Sequence, residues 1–148
     1  MSRIRRILHP TDFSRASSAA YKRAVEMAKG NRAELVLVHV LGPAVPLMAD
    51  GYVSPKVYDD MEAAERAHSQ KHLNALVAKA RKAGVRAKGL LLAGVAHERL
   101  AQAARSRKAD LVVIGTHGRT GFAKLFLGSV ASRVLAVAPC PVLTVRGK

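Results

Sequence analysis

The sequence is poor in cysteine, in aromatic residues and in long apolar runs. The single cysteine, Cys140, excludes an internal disulfide, which fits the reducing cytoplasm. No apolar run reaches the roughly 18 residues that a membrane-spanning helix needs, and the charged first residues do not lead into a secretory signal, so we expect a cytoplasmic protein. At 4% aromatic content, the core must be aliphatic and a stacking platform for single-stranded nucleic acid is disfavoured.

Acidic residues are also scarce, at 10 against 25 lysines and arginines, which gives a net charge of +15. Five of the acids fall within residues 50–65, whereas residues 86–148 carry eleven basic and two acidic side chains. This balance indicates an anionic partner, either nucleotide phosphates or nucleic acid, or else a generally basic, solvated surface. Because the basic residues are scattered along the sequence, the solvated surface is favoured over a nucleic-acid interface.

Hydrophobic residues are plentiful, at 49% of 148 residues, and their patterns alternate between strand and helix. The predicted strands are Ile4–Leu8, 35–40, 85–92, 111–114 and 142–145. The predicted helices are 15–29, 56–83, 95–107 and 129–137. Ser14 is expected to cap the first helix and Gly30 to close it, while Met61, Val130 and Val137 are expected on buried helix faces.

This alternation predicts the fold class. Strands joined through helices pair in parallel by crossover connections. We therefore expect one α/β domain over residues 1–148: a three-layer, doubly wound parallel sheet of five strands with four helices.

A glycine-rich stretch from Gly115 to Ser129 directly follows the apolar run 111–114 and opens the last predicted helix. Glycines let backbone N–H groups approach an anion, and a helix N-terminus adds unpaired donors and a positive dipole end. The stretch therefore predicts a phosphate-binding loop. Its spacing matches neither the Walker lysine loop nor the dinucleotide fingerprint.

Four motifs in chain order resemble the universal stress protein family. They are Pro10-Thr-Asp-Phe-Ser14, His39-Val40, the Gly115-x2-Gly118-x9-Gly128-Ser129 loop, and Pro141-Val-Leu-Thr-Val145. The resemblance spans essentially the whole chain. It implies the sheet order 3-2-1-4-5, a ligand crevice between strands one and four, and a homodimer formed through the exposed last strand, 142–145.

Because the glycine motif is complete, the chain looks like the ATP-binding branch of that family. The resemblance implies that Thr11 and Asp12, next to Pro10, lie near the nucleotide, with the carboxylate on the ribose hydroxyls. Val40 and Ile114 would flank adenine. The residues implied around the phosphates are Gly115, His117, Gly118, Gly128, Ser129 and Val130. A Mg²⁺ or Mn²⁺ ion, if present, would be carried by the phosphates.

Several alternatives stay open at this point. Asp12 could instead cap the first helix, and Arg119 could either neutralise phosphate or be a solvated loop charge. A metal site of His9, His39 and His117 is disfavoured. No catalytic triad can be argued, so any ATP hydrolysis would be slow. The favoured function is an ATP-dependent sensor in the stress response; the rivals are a slow ATPase or phosphotransferase and an ATP-independent nucleic-acid-associated protein.

Overall fold

The computed structural model describes residues 3–42, 54–117 and 128–147. Strands and helices alternate along them, and the five strands form one parallel sheet in the order β3-β2-β1-β4-β5. This confirms the predicted α/β class, the sheet order and the four helices. The elements are β1 Arg6–Pro10, α1 Arg15–Asn31, β2 Glu34–Leu41, α2 Pro55–Lys82, β3 Ala87–Ala93, α3 Ala96–Ser106, β4 Leu111–Gly115, α4 Ser129–Val137 and β5 Val142–Val145.

Both faces of the central strands are buried, which explains why their sequences read as unbroken apolar runs. Successive residues of a strand point to opposite faces. Ile7 of β1 accordingly packs in a core under α1 and α2, and Leu8 packs in a second core under α3 and α4. Sheet and helices therefore form three layers. In the part of the chain that the structure describes, no helix combines the length and apolar character needed to cross a bilayer.

The sheet order reverses at β1 and β4, which pair at Ile7 with Leu111 and at Leu8 with Val112. After β1 the next helix is α1, which packs on one face of the sheet. After β4 the next helix is α4, which packs on the other face. Divergent connections at the carboxyl ends of two neighbouring strands leave a crevice between them. A cleft lies there.

Most element boundaries differ from the prediction by one or two residues, and the first strand and the first helix show why. The strand predicted at Ile4–Leu8 is observed at Arg6–Pro10. It extends to Pro10 because this residue still pairs with Val38 of β2, and the pairing with β4 involves only Ile7 and Leu8. Helix α1 continues through Gly30 and ends at Asn31; the residue that turns the chain is Arg32, at φ 55°. The predicted cap at Ser14 is confirmed, since its hydroxyl accepts the N–H of Ser17 at 3.2 Å.

Three predicted core positions are wrong. Met61 is 58% exposed because α2, about 42 Å long at 1.5 Å per residue, extends beyond the sheet, and its buried residues begin at Ser69. On α4, only Ala131 and Val134 are buried, and Val130 and Val137 flank that narrow stripe in solvent.

Candidate ligand-binding cleft

A cleft of about 250 Å³ opens where the carboxyl ends of β1, β2 and β4 meet the first turns of α3 and α4. Its volume is just below the roughly 300–1,000 Å³ typical of sites for drug-sized ligands, so it suits a small ligand or part of a larger one. Ten of the twelve predicted site residues line it: Pro10, Thr11, Asp12, Val40, Ile114, Gly115, His117, Gly128, Ser129 and Val130. Gly118 and Arg119 lie outside the described residues.

The floor of the cleft at the end of β1 is held by main-chain and hydroxyl hydrogen bonds. The N–H of Thr11 donates to the Val38 carbonyl at 2.8 Å, which continues the pairing of β1 with β2. The Thr11 hydroxyl accepts the N–H of Phe13 at 3.1 Å and lies 3.2 Å from the hydroxyl of Ser17. Thr11 is therefore buried and fixed in orientation.

Asp12 stands at the mouth of the cleft with its carboxylate held in place. One oxygen accepts the N–H of Ser14 at 2.9 Å. The alternative that Asp12 caps the first helix is wrong, because Ser14 performs that role. The carboxylate is thus oriented by the turn that precedes the helix and remains part of the cleft lining.

Between Asp12 and Ser14, Phe13 adopts a left-handed backbone conformation with φ 64°. This conformation is unfavourable for an aromatic residue and occurs mainly where surrounding contacts enforce it. Its ring packs against the imidazole of His39, with centroids 4.3 Å apart, and against His72 at 5.1 Å. His39 in turn donates from Nδ1 to the Thr11 carbonyl at 2.7 Å, since a carbonyl can only accept. These contacts hold the turn that presents Thr11 and Asp12.

Another wall contains the start of α4, which no side chain of the described residues caps. Gly128 occupies the cap position, and Ser129, Val130 and Ala131 follow along the cleft. The first N–H groups of a helix have no partners within it, and they carry the positive end of the dipole. Such a helix start is suited to bind an anion.

Gly128 is required by space. A Cβ at this position would lie 2.8 Å from the Thr116 carbonyl oxygen, which itself accepts the Gly128 N–H. Gly115 differs, because a Cβ there would make contacts of 3.5 Å or longer. Of these two positions, only 128 requires glycine, because any larger residue would put its Cβ too close to the Thr116 carbonyl oxygen.

Beside α4, the end of β4 is anchored to the last strand. The Thr116 N–H donates to the Val145 carbonyl at 2.9 Å, and the Thr116 hydroxyl lies 2.9 Å from Nδ1 of His117. Both residues line the cleft. The helix start of α4 is therefore attached, through Thr116, to a strand end that is itself fixed.

The apolar part of the lining is larger than the sequence indicated. Val40 and Ile114 are there as predicted, and further lining residues were missed: Ser17, Val38, His39, Ala96, Leu100, Thr116 and Ala131. A signal for Ala96 existed in the sequence, since Gly94, at φ 132°, ends β3 two residues before α3 begins. A helix that starts so soon after a strand has its first turn at the same sheet edge.

The charges of the described lining are few. Asp12 is the one carboxylate among the described lining residues, and none of them is a lysine or arginine. An anion in this part of the cleft would therefore be held by backbone N–H groups, with the His117 imidazole beside them. No cluster of three His, Cys, Asp or Glu side chains within the described residues could hold a metal ion. His9 does not reach the cleft; its Nδ1 donates to the Val113 carbonyl in the core.

Known proteins resemble the chain over almost its whole length. A sequence profile of the universal stress protein family matches residues 3–146. A universal stress protein of Methanocaldococcus jannaschii is 37% identical over 144 residues, which are 96% of this chain and 82% of that protein.

Solved structures agree with that match. A universal stress protein family member from Burkholderia pseudomallei is 33% identical, with a TM-score of 0.76 and 99% of both chains covered. A universal stress protein solved in complex with cAMP is 26% identical, with a TM-score of 0.73, and the superposition covers 99% of this chain and 100% of that one.

Proposed function

The chain belongs to the universal stress protein family, and on that premise we propose that it binds an adenine nucleotide, ATP in the cell, in the cleft between β1 and β4. The observation that carries the proposal is the start of α4, which no side chain of the described residues caps and where Gly128 lies against Thr116, in the same cleft as the Asp12 carboxylate. Anion donors, a carboxylate and apolar walls in one cleft match the parts of a nucleotide.

We assign each part of the nucleotide by chemistry. The adenine ring goes between Val40 and Ile114, where apolar side chains exclude water. The ribose hydroxyls go to Asp12, because a carboxylate accepts hydrogen bonds from both and is already oriented by the Ser14 N–H. A universal stress protein has been solved in complex with cAMP, and this supports the assignment of an adenine nucleotide as the ligand.

We assign the phosphates to the backbone N–H groups that begin α4. Further contributors are Gly115, His117, Gly118, Arg119, Ser129 and Val130. The described lining offers no cluster of metal ligands, so a Mg²⁺ or Mn²⁺ ion would reach the site bound to the phosphates, which are its preferred ligands when protein carboxylates are few. The ion would neutralise phosphate charge there.

The role that follows is regulation by binding. The cleft joins elements of both faces of the sheet, α1 through Ser17 and α3 and α4 through their first turns. A ligand that contacts all three stabilises one relative arrangement and shifts the population toward it. We infer a cytoplasmic stress-response module whose state depends on the nucleotide.

Homodimerisation belongs to the same proposal. β5 is an edge strand of the sheet, and an exposed edge offers unpaired N–H and C=O groups to a second copy. On the neighbouring α4, Leu135 and Val137 are 46% and 43% exposed. Pairing of two copies along 142–145 would cover these side chains.

The experiment that tests the nucleotide site is a double-mutant cycle between Asp12 and the ribose. ATP and 2′-deoxy-ATP are titrated calorimetrically into the wild type and Asp12→Asn, with Asp60→Asn on the exposed part of α2 as a matched control. We expect the wild type and Asp60→Asn to lose about tenfold in affinity without the hydroxyl, consistent with a hydrogen bond to a charged group.

Asp12→Asn should bind both nucleotides equally weakly, because the interaction that distinguishes them is gone. Retained discrimination in Asp12→Asn would remove the ribose assignment. Absence of ATP binding to the folded wild type would remove the proposed function itself. Hydrolysis measured in the same samples decides between a binding module and a slow ATPase.

A further inference from the structure

A large share of the basic residues, eleven of 25, lies at the amino ends of the strands, at the sheet edge opposite the cleft. Eleven basic residues lie within two residues of the beginning of β1–β4 or the end of α1–α3. We call this surface the basic face. Its members are Arg5, Arg6, Lys29, Arg32, Arg81, Lys82, Arg86, Lys88, Arg105, Arg107 and Lys108. None of them lines the cleft.

Main-chain hydrogen bonds join the four strand beginnings side by side. The N–H of Glu34 donates to the Arg5 carbonyl at 2.9 Å, that of Leu35 to Arg86 at 2.8 Å, and that of Asp110 to Arg6 at 2.8 Å. Neighbouring strands lie about 4.8 Å apart, so the row from β3 to β4 spans about 15 Å. The ends of α1–α3 border this row on both faces of the sheet.

The two acids of this region neutralise only a small part of the face. Glu34 is only 16% exposed and pairs with Arg6 at 2.8 Å and Lys88 at 3.3 Å. Asp110 accepts the main-chain N–H groups of Arg5 and Arg6 through one oxygen. All members of the basic face except Arg6 and Arg107 are exposed, so most of its charge faces solvent.

Local helix stability explains only part of this arrangement. Cations near a helix end interact favourably with the dipole, which accounts for Lys29, Lys82 and Arg105. It does not account for Arg5 or Arg86 at strand beginnings, and the ion pairs with Glu34 account only for Arg6 and Lys88. Like charges held together repel one another and destabilise the folded state unless a counter-charge is bound.

The acids that could compensate lie elsewhere. Asp59, Asp60, Glu62 and Glu65 are on the first half of α2. Twenty helical residues separate Glu62 from Lys82, a distance of about 30 Å along the axis. These acids are thus remote from the basic face, and this helix does not supply the anion that suits it.

We propose that the basic face binds double-stranded nucleic acid through its phosphate backbone, without sequence preference. Seven of its members are arginines and four are lysines, and guanidinium groups suit phosphate oxygens by bidentate hydrogen bonding. A row of about 15 Å spans the minor groove, which is about 6 Å wide, so it reaches phosphates of both strands.

Other anionic partners fit this surface less well. Within two residues of these strand beginnings and helix ends there is no aromatic residue to stack on unpaired bases. The exposed large apolar side chains of the described residues also lie outside those positions, so the face has no apolar group to insert into a lipid surface. Arginine-rich charge without aromatics or apolar wedges matches a duplex backbone.

The test is fluorescence anisotropy with a labelled random-sequence 20-base-pair DNA duplex over a range of salt concentrations. The variant Lys29→Gln/Lys82→Gln/Arg105→Gln removes three charges from the basic face. The control Lys22→Gln/Arg66→Gln/Lys71→Gln removes the same charges from exposed positions elsewhere on α1 and α2. Circular dichroism checks whether both variants keep the fold, and calorimetric titration with ATP checks whether they keep the cleft.

We expect the wild type to bind the duplex and the basic-face variant to bind at least tenfold more weakly. Its slope of log affinity against log salt should be smaller by about 2 to 3, at about 0.9 per lost phosphate contact. The control should stay within threefold of the wild type. Equal losses in both variants, or no duplex binding at low salt, would overturn the proposal.

Three further arms identify the partner and the surface. Phosphatidylserine vesicles and polyglutamate of matched charge should compete less well than unlabelled duplex. If either competes equally well, the face does not select nucleic acid and the proposal fails. ATP should not displace the duplex, because the cleft lies at the opposite sheet edge; displacement would assign the binding to the cleft instead.

Discussion

The Nδ1–H of His9 donates to the Val113 carbonyl at 2.8 Å and so links β1 to β4 inside the core. The imidazole is fully buried, with the ring of Tyr21 6.1 Å away, and no described residue offers Nε2 a hydrogen bond. Burial lowers the pKa of His9 from 6.5 to about 4, against the opposing effects of the Val113 hydrogen bond and the Asp12 charge. The residue is neutral in the folded protein.

This burial predicts acid sensitivity. Because the folded-state pKa lies below the unfolded one, the unfolded chain takes up the proton first as the pH falls below 6.5. The stability contributed by neutral His9 is complete above that pH and is lost toward pH 4, with a maximum of about 3 kcal/mol.

Urea unfolding at pH 7, 5.5 and 4.5 measures this loss. His9→Asn keeps an N–H donor for the Val113 carbonyl but does not titrate. We expect the difference in unfolding free energy between the wild type and His9→Asn to shrink as the pH falls. A difference that stays constant with pH would show that His9 is not held neutral by the fold.

Much of the fold follows from the sequence, because β-branched runs and helical spacing each report a local preference that the core reinforces. The element boundaries follow less well. Gly30 resembled a helix terminator, yet Arg32 turns the chain, since main-chain N–H groups at Arg32 and Ala33 donate back to the last helical turn. The exposure of Met61 depends on where the sheet ends, which helical spacing does not encode.

The cleft was predictable where its residues are chemically distinctive, as with Asp12 and Gly128. Ala96 and Leu100 were missed because their side chains have no chemistry that marks a site. The basic face was not predictable at all. Its members are scattered from Arg5 to Lys108 along the sequence, and only the parallel sheet places every strand beginning at one edge.

Two glycines give a stability prediction that separates packing from conformation. A Cβ on Gly89 of β3 would lie 3.0 Å from Leu73 Cγ and 3.2 Å from a Val77 methyl carbon of α2. Gly89→Ala should therefore destabilise the protein by about 1 to 3 kcal/mol through overpacking. Urea unfolding gives the value, and a neutral result would mean that α2 packs less closely.

Gly30→Ala is the matched control. It lies inside α1, and a Cβ there meets nothing within 4 Å. Alanine in place of a helical glycine should raise the unfolding free energy by about 0.5 to 1 kcal/mol. Destabilisation by this change would instead agree with the sequence-based view that Gly30 ends the helix.

The proposed dimer predicts an effect confined to the β5 side of the molecule. Leu135→Glu places a charge on the exposed apolar side of α4 and should shift dimer to monomer by about tenfold or more in dissociation constant, since an unpaired buried charge is unfavourable. Light scattering across a concentration series measures it. Met61→Glu, at 58% exposure on α2, should leave the dimer unchanged; equal effects of both variants would exclude the proposed interface.

The glycine pair in the cleft distinguishes a required close approach from an incidental one. Gly128→Ala brings a Cβ to 2.8 Å from the Thr116 carbonyl oxygen and must displace the start of α4, whereas Gly115→Ala makes ordinary contacts. Both variants replace a glycine by an alanine. Only the first should disturb the N–H groups proposed to hold phosphate.

Calorimetric titration of ATP with Mg²⁺ into the wild type, Gly115→Ala and Gly128→Ala tests that central claim most directly. We expect saturable binding at one site per chain in the wild type, a change of less than threefold in Gly115→Ala, and a loss of at least tenfold in folded Gly128→Ala. Unchanged ATP affinity in Gly128→Ala, or no heat of binding in the folded wild type, would contradict it.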